Sequence, residues 1–383
     1  MQRLEHYISA GGKRLRCGYT TGTCAAAATR AAAELLLSRA LVPAVVISTP
    51  SGIEVGVDVE EHDEGSGWAR CAVRKDAGDD PDVTDGVLVW AKVTRADEPG
   101  VSIDGGAGVG RVTRAGLDQP VGAAAINSVP REMIARAARE AAEAAGYVGG
   151  LAVEISIPAG SGLAVRTFNP RLGIEGGISV LGTSGIVRPM SEDALVASLK
   201  LELSVLHAAG ARHLLVVPGN YGRDFAVSTL HLSLEQAVQC SNYLGAVIDE
   251  AGLLGFEDAL IVGHIGKMVK VAGGIMNTHS RVADCRAEVM AAHAALVGAS
   301  RETIVRIMSA PTTDAMLDAL AVECLAEATM ESLMASLAEK LAYRAAGRLQ
   351  VEAIVFSNQH GLLGQTPGAA ALAAYHEREG ESA

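Results

Sequence analysis

Three short apolar runs in the second half of the chain constrain the fold more than any other feature. Residues 213–217 (HLLVV), 258–263 (DALIVG) and 351–356 (VEAIVF) are too continuous for a half-solvated strand and too short for a helix. Each follows a segment with helical character, at 191–209, near 235–251, and in several pieces from about 284 to 347. Each also ends in a glycine-rich or polar loop: PGNYG (218–222), GHIGK (263–267) and SNQHG (357–361). Apolar strands alternating with helices predict a parallel sheet covered on both faces. In such a sheet, ligands gather at the carboxyl ends of the strands, so the three loops should converge on one crevice.

The first half has a different rhythm. An alanine-rich helix over 23–39 is introduced by the TTGT turn, which supplies a threonine cap. Strand-like runs follow at 42–48, 53–60, 68–74 and 87–94, the first two joined by Pro50-Ser51-Gly52. Residues 97–128 read as a glycine-rich loop with short strand pieces. A helix is expected from Pro130, whose missing N–H suits the first helical position, to about 145, where Gly146 stops it. A strand at 151–157 completes the unit. The expectation is an α+β N-terminal domain over 1–189, followed by an α/β Rossmann-like domain with a mainly parallel sheet over 190–383.

Composition narrows the partners. The chain carries 32 Lys+Arg against 44 Asp+Glu, a net −12. That balance argues against nucleic acid, whose binders need a basic footprint. No apolar stretch is long enough to span a membrane, and the first residues lack a signal-peptide core. Six scattered cysteines with no CxxC pair read as reduced thiols of a cytoplasmic protein. The 43 glycines exceed the usual share and show no collagen period, so they belong in loops with unusual backbone or close approach of a ligand.

Several segments could carry chemistry. Thr20, Thr21 and Gly22 precede the first helix, where free amides can bind an anion; an ordinary capped helix start is the plainer reading. Asp76, Asp79, Asp80, Asp82 and Asp85 crowd one loop without calcium-loop spacing, so they are either a solvated acidic turn or a site for proton removal. The run Asp104–Gly110 mimics a nucleotide fingerprint but has no helix after it. Residues 166–187 form a long loop with five glycines and apolar stretches, which describes an ordered loop rather than a linker. His264 and Lys267 are candidates for anionic ligand groups. His279, Asp284 and Cys285 read as helix-cap chemistry rather than a metal site. No Walker sequence is present.

Taken together and in order, LRCGYTTGTCAAAA, VRKDAGDDPDVTDG, GAGVGRVTRAGL, AINSVPREMI, RTFNPRLGIEGGISVLGTSGIVRPMS, PGNYG and GHIGKMVKVAGGIMNTHSR resemble the cobalt-precorrin-5B C-1 methyltransferases of the oxygen-independent cobalamin pathway. The resemblance covers roughly residues 14–300. Cys17 departs from it, where threonine is expected. The chain also lacks the glycine-proline-glycine-aspartate loop of most other corrin-pathway methyltransferases.

The resemblance implies methyl transfer from S-adenosylmethionine to carbon 1 of cobalt-precorrin-5B, giving cobalt-precorrin-6A. Cobalt then arrives as part of the substrate, and no protein metal site is expected. The macrocycle carries many carboxylates, so cations must be concentrated locally despite the net negative charge. Thr20, Thr21, Arg166, Asn169, Arg171, Thr183, Ser184 and Lys267 are the expected substrate-binding residues, with Arg188, Lys270 and Arg281 as further cations. Gly219, Asn220, Tyr221, Gly222, Gly263 and His264 are expected to hold the cofactor, Tyr221 by stacking. Asp79 and Asp80 are the candidates for catalysis. The expected partner is the small tetrapyrrole; neighbouring pathway enzymes and self-association stay open. Competing readings are an ATP-dependent phosphotransferase and a non-catalytic tetrapyrrole carrier.

Overall fold

The computed structural model describes residues 4–10 and 12–377. The chain divides into two compact units, Met1–Glu192 and Asp193–Ala383.

The first unit is built on a six-stranded sheet. Its strands run in the order Ala44–Ser48, Glu54–Gly65, Trp68–Arg74, Leu88–Ala96, Gly150–Ser156 and Val101–Gly105. Every neighbouring pair is antiparallel except the last, which is parallel. Valines and alanines alternate inward along the strands, as at Cys71 opposite Ala91 and Val73 opposite Val89. Helices Thr21–Ser38 and Ser128–Ala144 pack on this sheet and on each other. The first helix is buried almost all round, from Thr21 to Leu36. Its alanines let it lie close between sheet and second helix, and Arg30 escapes at the edge to pair with Glu34 and Glu140.

The structure corrects several element boundaries. The first helix begins at Thr21 rather than Thr23, because Thr20 Oγ1 accepts the Thr23 amide and makes Thr20 the cap. The strand expected over 53–60 continues to Gly65 and pairs with Trp68–Arg74 around a tight turn. The second helix starts at Ser128, so Pro130 sits third in it and not first. The short strand pieces expected within 97–128 are the edge strand Val101–Gly105 and the two-residue strand Arg111–Val112.

The second unit carries a five-stranded mixed sheet. Its order is Ala237–Val238, His213–Val216, Asp258–His264, Gln350–Ser357 and Gly361–Gln365. The first four strands are parallel and the fifth returns antiparallel as a hairpin. Alternate residues feed two separate cores. Leu214, Val216, Ile261 and Val355 face one side, with Met268 and Leu337 from helices Ile265–Ala272 and Ala326–Ala345. Leu215, Val217, Leu260, Val262 and Phe356 face the other. Burial on both faces is why these strands read as continuous apolar runs.

Two expectations are refined here, while the sheet is mainly parallel as expected. The helix anticipated over 235–251 is the short strand Ala237–Val238 followed by helix Leu244–Leu254. The sheet is mixed, because residues 361–365 add the antiparallel edge.

Candidate active site

Strands His213–Val216, Asp258–His264 and Gln350–Ser357 are parallel neighbours, so their carboxyl ends lie side by side. The PGNYG segment is not a free turn. Gly219 caps helix Asn220–Ser228, and Asn220, Tyr221 and Gly222 form its first turn. Gly219 has φ +118° and ψ −177°, a region open to glycine alone. A Cβ there would stand 3.6 Å from Lys267 Nζ. Gly222 lies against the central strand, where a Cβ would come within 2.4 Å of the Val262 carbonyl oxygen.

His264 ends the central strand and caps helix Ile265–Ala272, its Nδ1 accepting the Gly266 amide at 3.1 Å. That bond leaves Nε2 as the protonated nitrogen of the neutral ring. Burial pushes its pKa below the usual histidine value, against an opposing pull from Asp314. The Tyr221 ring is tilted over His264 with centroids 5.9 Å apart, and its side chain is largely exposed. Phe356 meets the other edge of the imidazole at 5.5 Å.

Lys267 Nζ donates to the Ser241 carbonyl at 2.8 Å. Burial lowers its pKa, and Lys270 adds to the effect. Asn220 Oδ1 accepts from Gln239 Nε2 at 2.8 Å. Ser357 Oγ, at the end of the third strand, donates to Asp314 at 2.6 Å and accepts the Gln359 and His360 amides. The strand ends therefore bring together an exposed aromatic ring, a histidine with a lowered pKa, a cation and a carboxylate. Gly263 is buried beneath them, with Met268 Sδ filling the space a side chain would need. Cys240 is no nucleophile at neutral pH, since burial raises its thiol to about 12.

Reading the sequence missed Asp314, Ser241 and Gln239. Asp314 has a visible signal, since Thr312-Thr313-Asp314 is a capped helix start and Thr312 accepts the Ala315 amide. Its approach to His264 is tertiary and has no local signature.

In the first unit, Thr20, Thr21, Thr183 and Ser184 come together where residues 181–185 cross the start of the first helix. The polar groups of Thr20, Thr21 and Ser184 are largely spent on neighbouring backbone. Gly22 N donates to the Leu181 carbonyl, Thr23 N to Thr20 Oγ1, and Cys24 N to the Thr20 carbonyl. Thr21 Oγ1 donates to the Leu181 carbonyl and accepts the Leu181 amide, and Thr20 N donates to the Gly185 carbonyl. The anion site expected from those helix amides is thus occupied by the protein's own acceptors. Thr183 stays exposed.

The aspartate loop is an internally bonded turn. Asp76 takes both guanidinium arms of Arg16 at 2.6 and 2.7 Å. Asp82 accepts Lys75 Nζ at 2.5 Å, and Asp85 accepts the Ala77 amide. Asp79 Oδ2 accepts the Arg16 amide and Asp80 Oδ1 the Met190 amide. The second oxygen of Asp79 and of Asp80 has no hydrogen bond among the described residues.

Asn169 is 6% exposed and knots its own loop. Its Oδ1 accepts Ser179 Oγ, and its carbonyl accepts the Leu172 and Ile174 amides. Arg166 and Arg171 are exposed on either side. The run Asp104–Gly110 leads into strand Arg111–Val112, so it lacks the helix a nucleotide fingerprint needs.

In the second unit, Lys270 is buried, with Nζ bonded to the Thr278 and Ala283 carbonyls. Cys285 caps helix Arg286–Leu296 without a side-chain bond, while Asp284 pairs with Arg286 instead of capping. Among the described residues, no three His, Cys, Asp or Glu are placed to hold a metal, and no helix is long and apolar enough to cross a membrane.

Known proteins share this sequence nearly end to end. The CbiD family model matches residues 8–189, and the CbiD C-terminal domain model matches residues 277–367. A cobalt-precorrin-5B C(1)-methyltransferase from Ruminiclostridium cellulolyticum is 48% identical, over 93% of this chain and 92% of its own. The enzyme of the same name from Alkaliphilus metalliredigens is 44% identical, over 98% of this chain and 99% of its own. A crystal structure of the cobalamin biosynthesis protein CbiD from Archaeoglobus fulgidus is 31% identical, covering 72% of this chain and 86% of that one, with a TM-score of 0.39. The chain belongs to the CbiD family of cobalt-precorrin-5B C(1)-methyltransferases.

Proposed function

We propose that this chain methylates C-1 of cobalt-precorrin-5B to give cobalt-precorrin-6A, with S-adenosylmethionine as the methyl donor. The observation that carries the reaction is identity of 48% across 93% of the chain with a methyltransferase of that name. The donor is inferred from chemistry: a ring carbon needs an electrophilic methyl, and a sulfonium supplies one.

The cofactor is assigned to the strand ends of the second unit, whose doubly wound, Rossmann-like character belongs to the same proposal. Tyr221 offers an exposed ring for the adenine, and Lys267 a cation for the amino-acid carboxylate. Gly219 removes the side chain that would stand between the ligand and that ammonium. His264 contributes a neutral donor at Nε2, and Asp314 an acceptor for hydroxyls. The residues fit a zwitterionic nucleoside ligand in charge and shape.

The macrocycle is assigned to the first unit, with Arg166 and Arg171 meeting its carboxylates. Thr183 and Ser184 remain candidate donors beside them. Asp79 and Asp80 are proposed to orient the macrocycle or take a proton from it, each through the oxygen not committed to a backbone amide. Methyl transfer itself is mainly a positioning problem. The cytoplasm is the compartment proposed, since all six cysteines are free thiols.

The test is calorimetric titration with S-adenosylhomocysteine, and anaerobic turnover of cobalt-precorrin-5B followed by mass spectrometry. Wild-type protein should bind the homocysteine product and add one methyl to the macrocycle. Tyr221→Ala should weaken cofactor binding about tenfold while leaving macrocycle affinity unchanged. Absence of both binding and methyl transfer in the wild type would overturn the assignment.

A further inference from the structure

Phe168 is out of place for a phenylalanine. The chain has four. Phe256 and Phe356 are fully buried, and Phe225 stacks on Phe356 at 4.0 Å. Phe168 is 51% exposed and has no ring partner among the described residues. Val165, three residues earlier, is 79% exposed. Leaving such large apolar side chains in water is unfavourable, so two of them on one short loop need a reason.

The segment that carries them is held firmly. Thr167 Oγ1 donates to the Ala164 carbonyl at 2.7 Å and accepts the Asn169 amide at 3.2 Å. The Gly173 carbonyl takes both the amide and the hydroxyl of Thr113. Buried Asn169 ties the middle to Ser179. Exposure of Phe168 is therefore imposed by the loop's bonding.

Charge identifies the occupant. Arg166 and Arg171 flank Phe168, and the stem of Arg114 lies on Gly173, where a Cβ would stand 2.4 Å from Arg114 Cγ. None of these three guanidinium groups makes an ion pair or hydrogen bond among the described residues. Elsewhere in the unit Arg16, Arg70, Arg74 and Arg111 pair with carboxylates, and arginines without a carboxylate partner among the described residues, such as Arg139 and Arg188, lie on separate segments. In a chain with 44 acidic residues, three unpaired arginines on one knot of loop are cations kept for an outside anion. An apolar ring edged by guanidinium groups complements a flat macrocycle with carboxylates at its rim.

We propose that Phe168 and Arg114 belong to the macrocycle site, Phe168 as the stacking face and Arg114 as a third rim cation. The proposal rests on the methyltransferase reading and deepens it, since both residues lie in segments that carry the family resemblance but the resemblance gives neither a role. Asn169 becomes a positioning residue that presents Phe168.

The experiment compares Phe168→Ala, Phe168→Tyr, Arg114→Gln and, as a control for exposed charge, Arg139→Gln on the second helix. Uroporphyrin III, a flat octacarboxylate, serves as a binding probe followed by its Soret band. Cobalt-precorrin-5B turnover gives KM and kcat, and S-adenosylhomocysteine calorimetry monitors the other ligand. Phe168→Ala should raise probe Kd and substrate KM about tenfold, with Phe168→Tyr within about twofold of wild type. Arg114→Gln should raise both threefold to tenfold, roughly the worth of one exposed charged contact or a little more. Arg139→Gln and all cofactor affinities should be unchanged. If Phe168→Ala lowers Tm, the Arg114→Gln arm decides. Wild-type affinity for the macrocycle in Arg114→Gln and in folded Phe168→Ala overturns the proposal while leaving the reaction intact. A wild-type protein that transfers no methyl overturns the underlying reading instead.

Discussion

Gly219→Ala tests the strand-end geometry more sharply than removal of any polar group. At φ +118° and ψ −177° the residue occupies a region that a Cβ makes costly, by about 1–3 kcal/mol. Steric overlap adds little, because the nearest atom to the new methyl is Lys267 Nζ at 3.6 Å, an ordinary contact distance. The penalty is therefore torsional, and for a unit of this size it should lower Tm by roughly 2–12 °C. The methyl also covers the face of the ammonium that is left after its bond to the Ser241 carbonyl. S-adenosylhomocysteine affinity should fall about tenfold, the worth of one charged contact. Gly222→Ala gives the opposite signature. Its backbone angle is ordinary, but its Cβ would meet the Val262 carbonyl at 2.4 Å, so the helix must move off the central strand. Differential scanning calorimetry and ligand calorimetry on the three proteins separate the two mechanisms. A Gly219→Ala protein that melts within about 1 °C of wild type and binds normally would refute the strain argument.

Other perturbations have signs that follow from the structure. Asp82→Asn strands Lys75, whose side chain is 2% exposed, and should cost about 3 kcal/mol in urea unfolding; Lys75→Met should cost less, because Asp82 keeps water and Thr84 as partners. Burial pushes the Asp82 pKa up, but the charge and bonds of Lys75 outweigh it and the value is depressed, so this stabilisation is present above about pH 4 and lost as pH falls through the folded value. His376 is lowered to about 4, first by burial and then by His213. Above pH 6.5 both states hold it neutral; below, the unfolded chain takes up the proton first, so stability falls toward pH 4, and His376→Asn should flatten that stretch of the curve. Lys270→Met should leave the Thr278 and Ala283 carbonyls short of a donor and speed hydrogen exchange across residues 275–285 without unfolding the sheet.

Elements with an unbroken strand or helix pattern were the legible part of the chain. The strand Trp68–Arg74 and the helix Glu192–Ala208 appear in the structure where their patterns place them, within a residue. The strand Ala237–Val238 is too short to carry a period, and glycines at 361 and 364 mask the last hairpin. PGNYG reads as a turn because glycine and proline usually break structure, yet here Gly219 starts a helix. At the site, His264 and Lys267 stand out locally, one as a strand-end cap and one as a cation in a glycine context. Asp314 arrives from fifty positions downstream, and only the packing of its helix brings it near.

Part of the glycine surplus is the unusual backbone that composition suggests, since many glycines have positive φ, and part is close approach. Close approach is real, but what approaches is the protein's own backbone. At Gly108 a Cβ would lie 1.8 Å from the Ile157 carbonyl oxygen; at Gly160 and Gly177 it would lie 2.1 and 2.2 Å from the Gly108 carbonyl oxygen. Three distant segments thus cross with no side chain between them, and their amides and carbonyls bond directly, as Ile178 N does to Gly108 O and Ile157 N to Ala107 O. Loops joined that way cannot shift singly, because each lacks the compressible side-chain layer that absorbs a displacement elsewhere. Stiffness of this kind suits a protein that must hold a large rigid ring in line with a methyl donor, where about 1 Å of misplacement costs about a hundredfold in rate. It follows that Gly108→Ala and Gly177→Ala act on one crossing, so the double variant should lose much less stability than the sum of the singles.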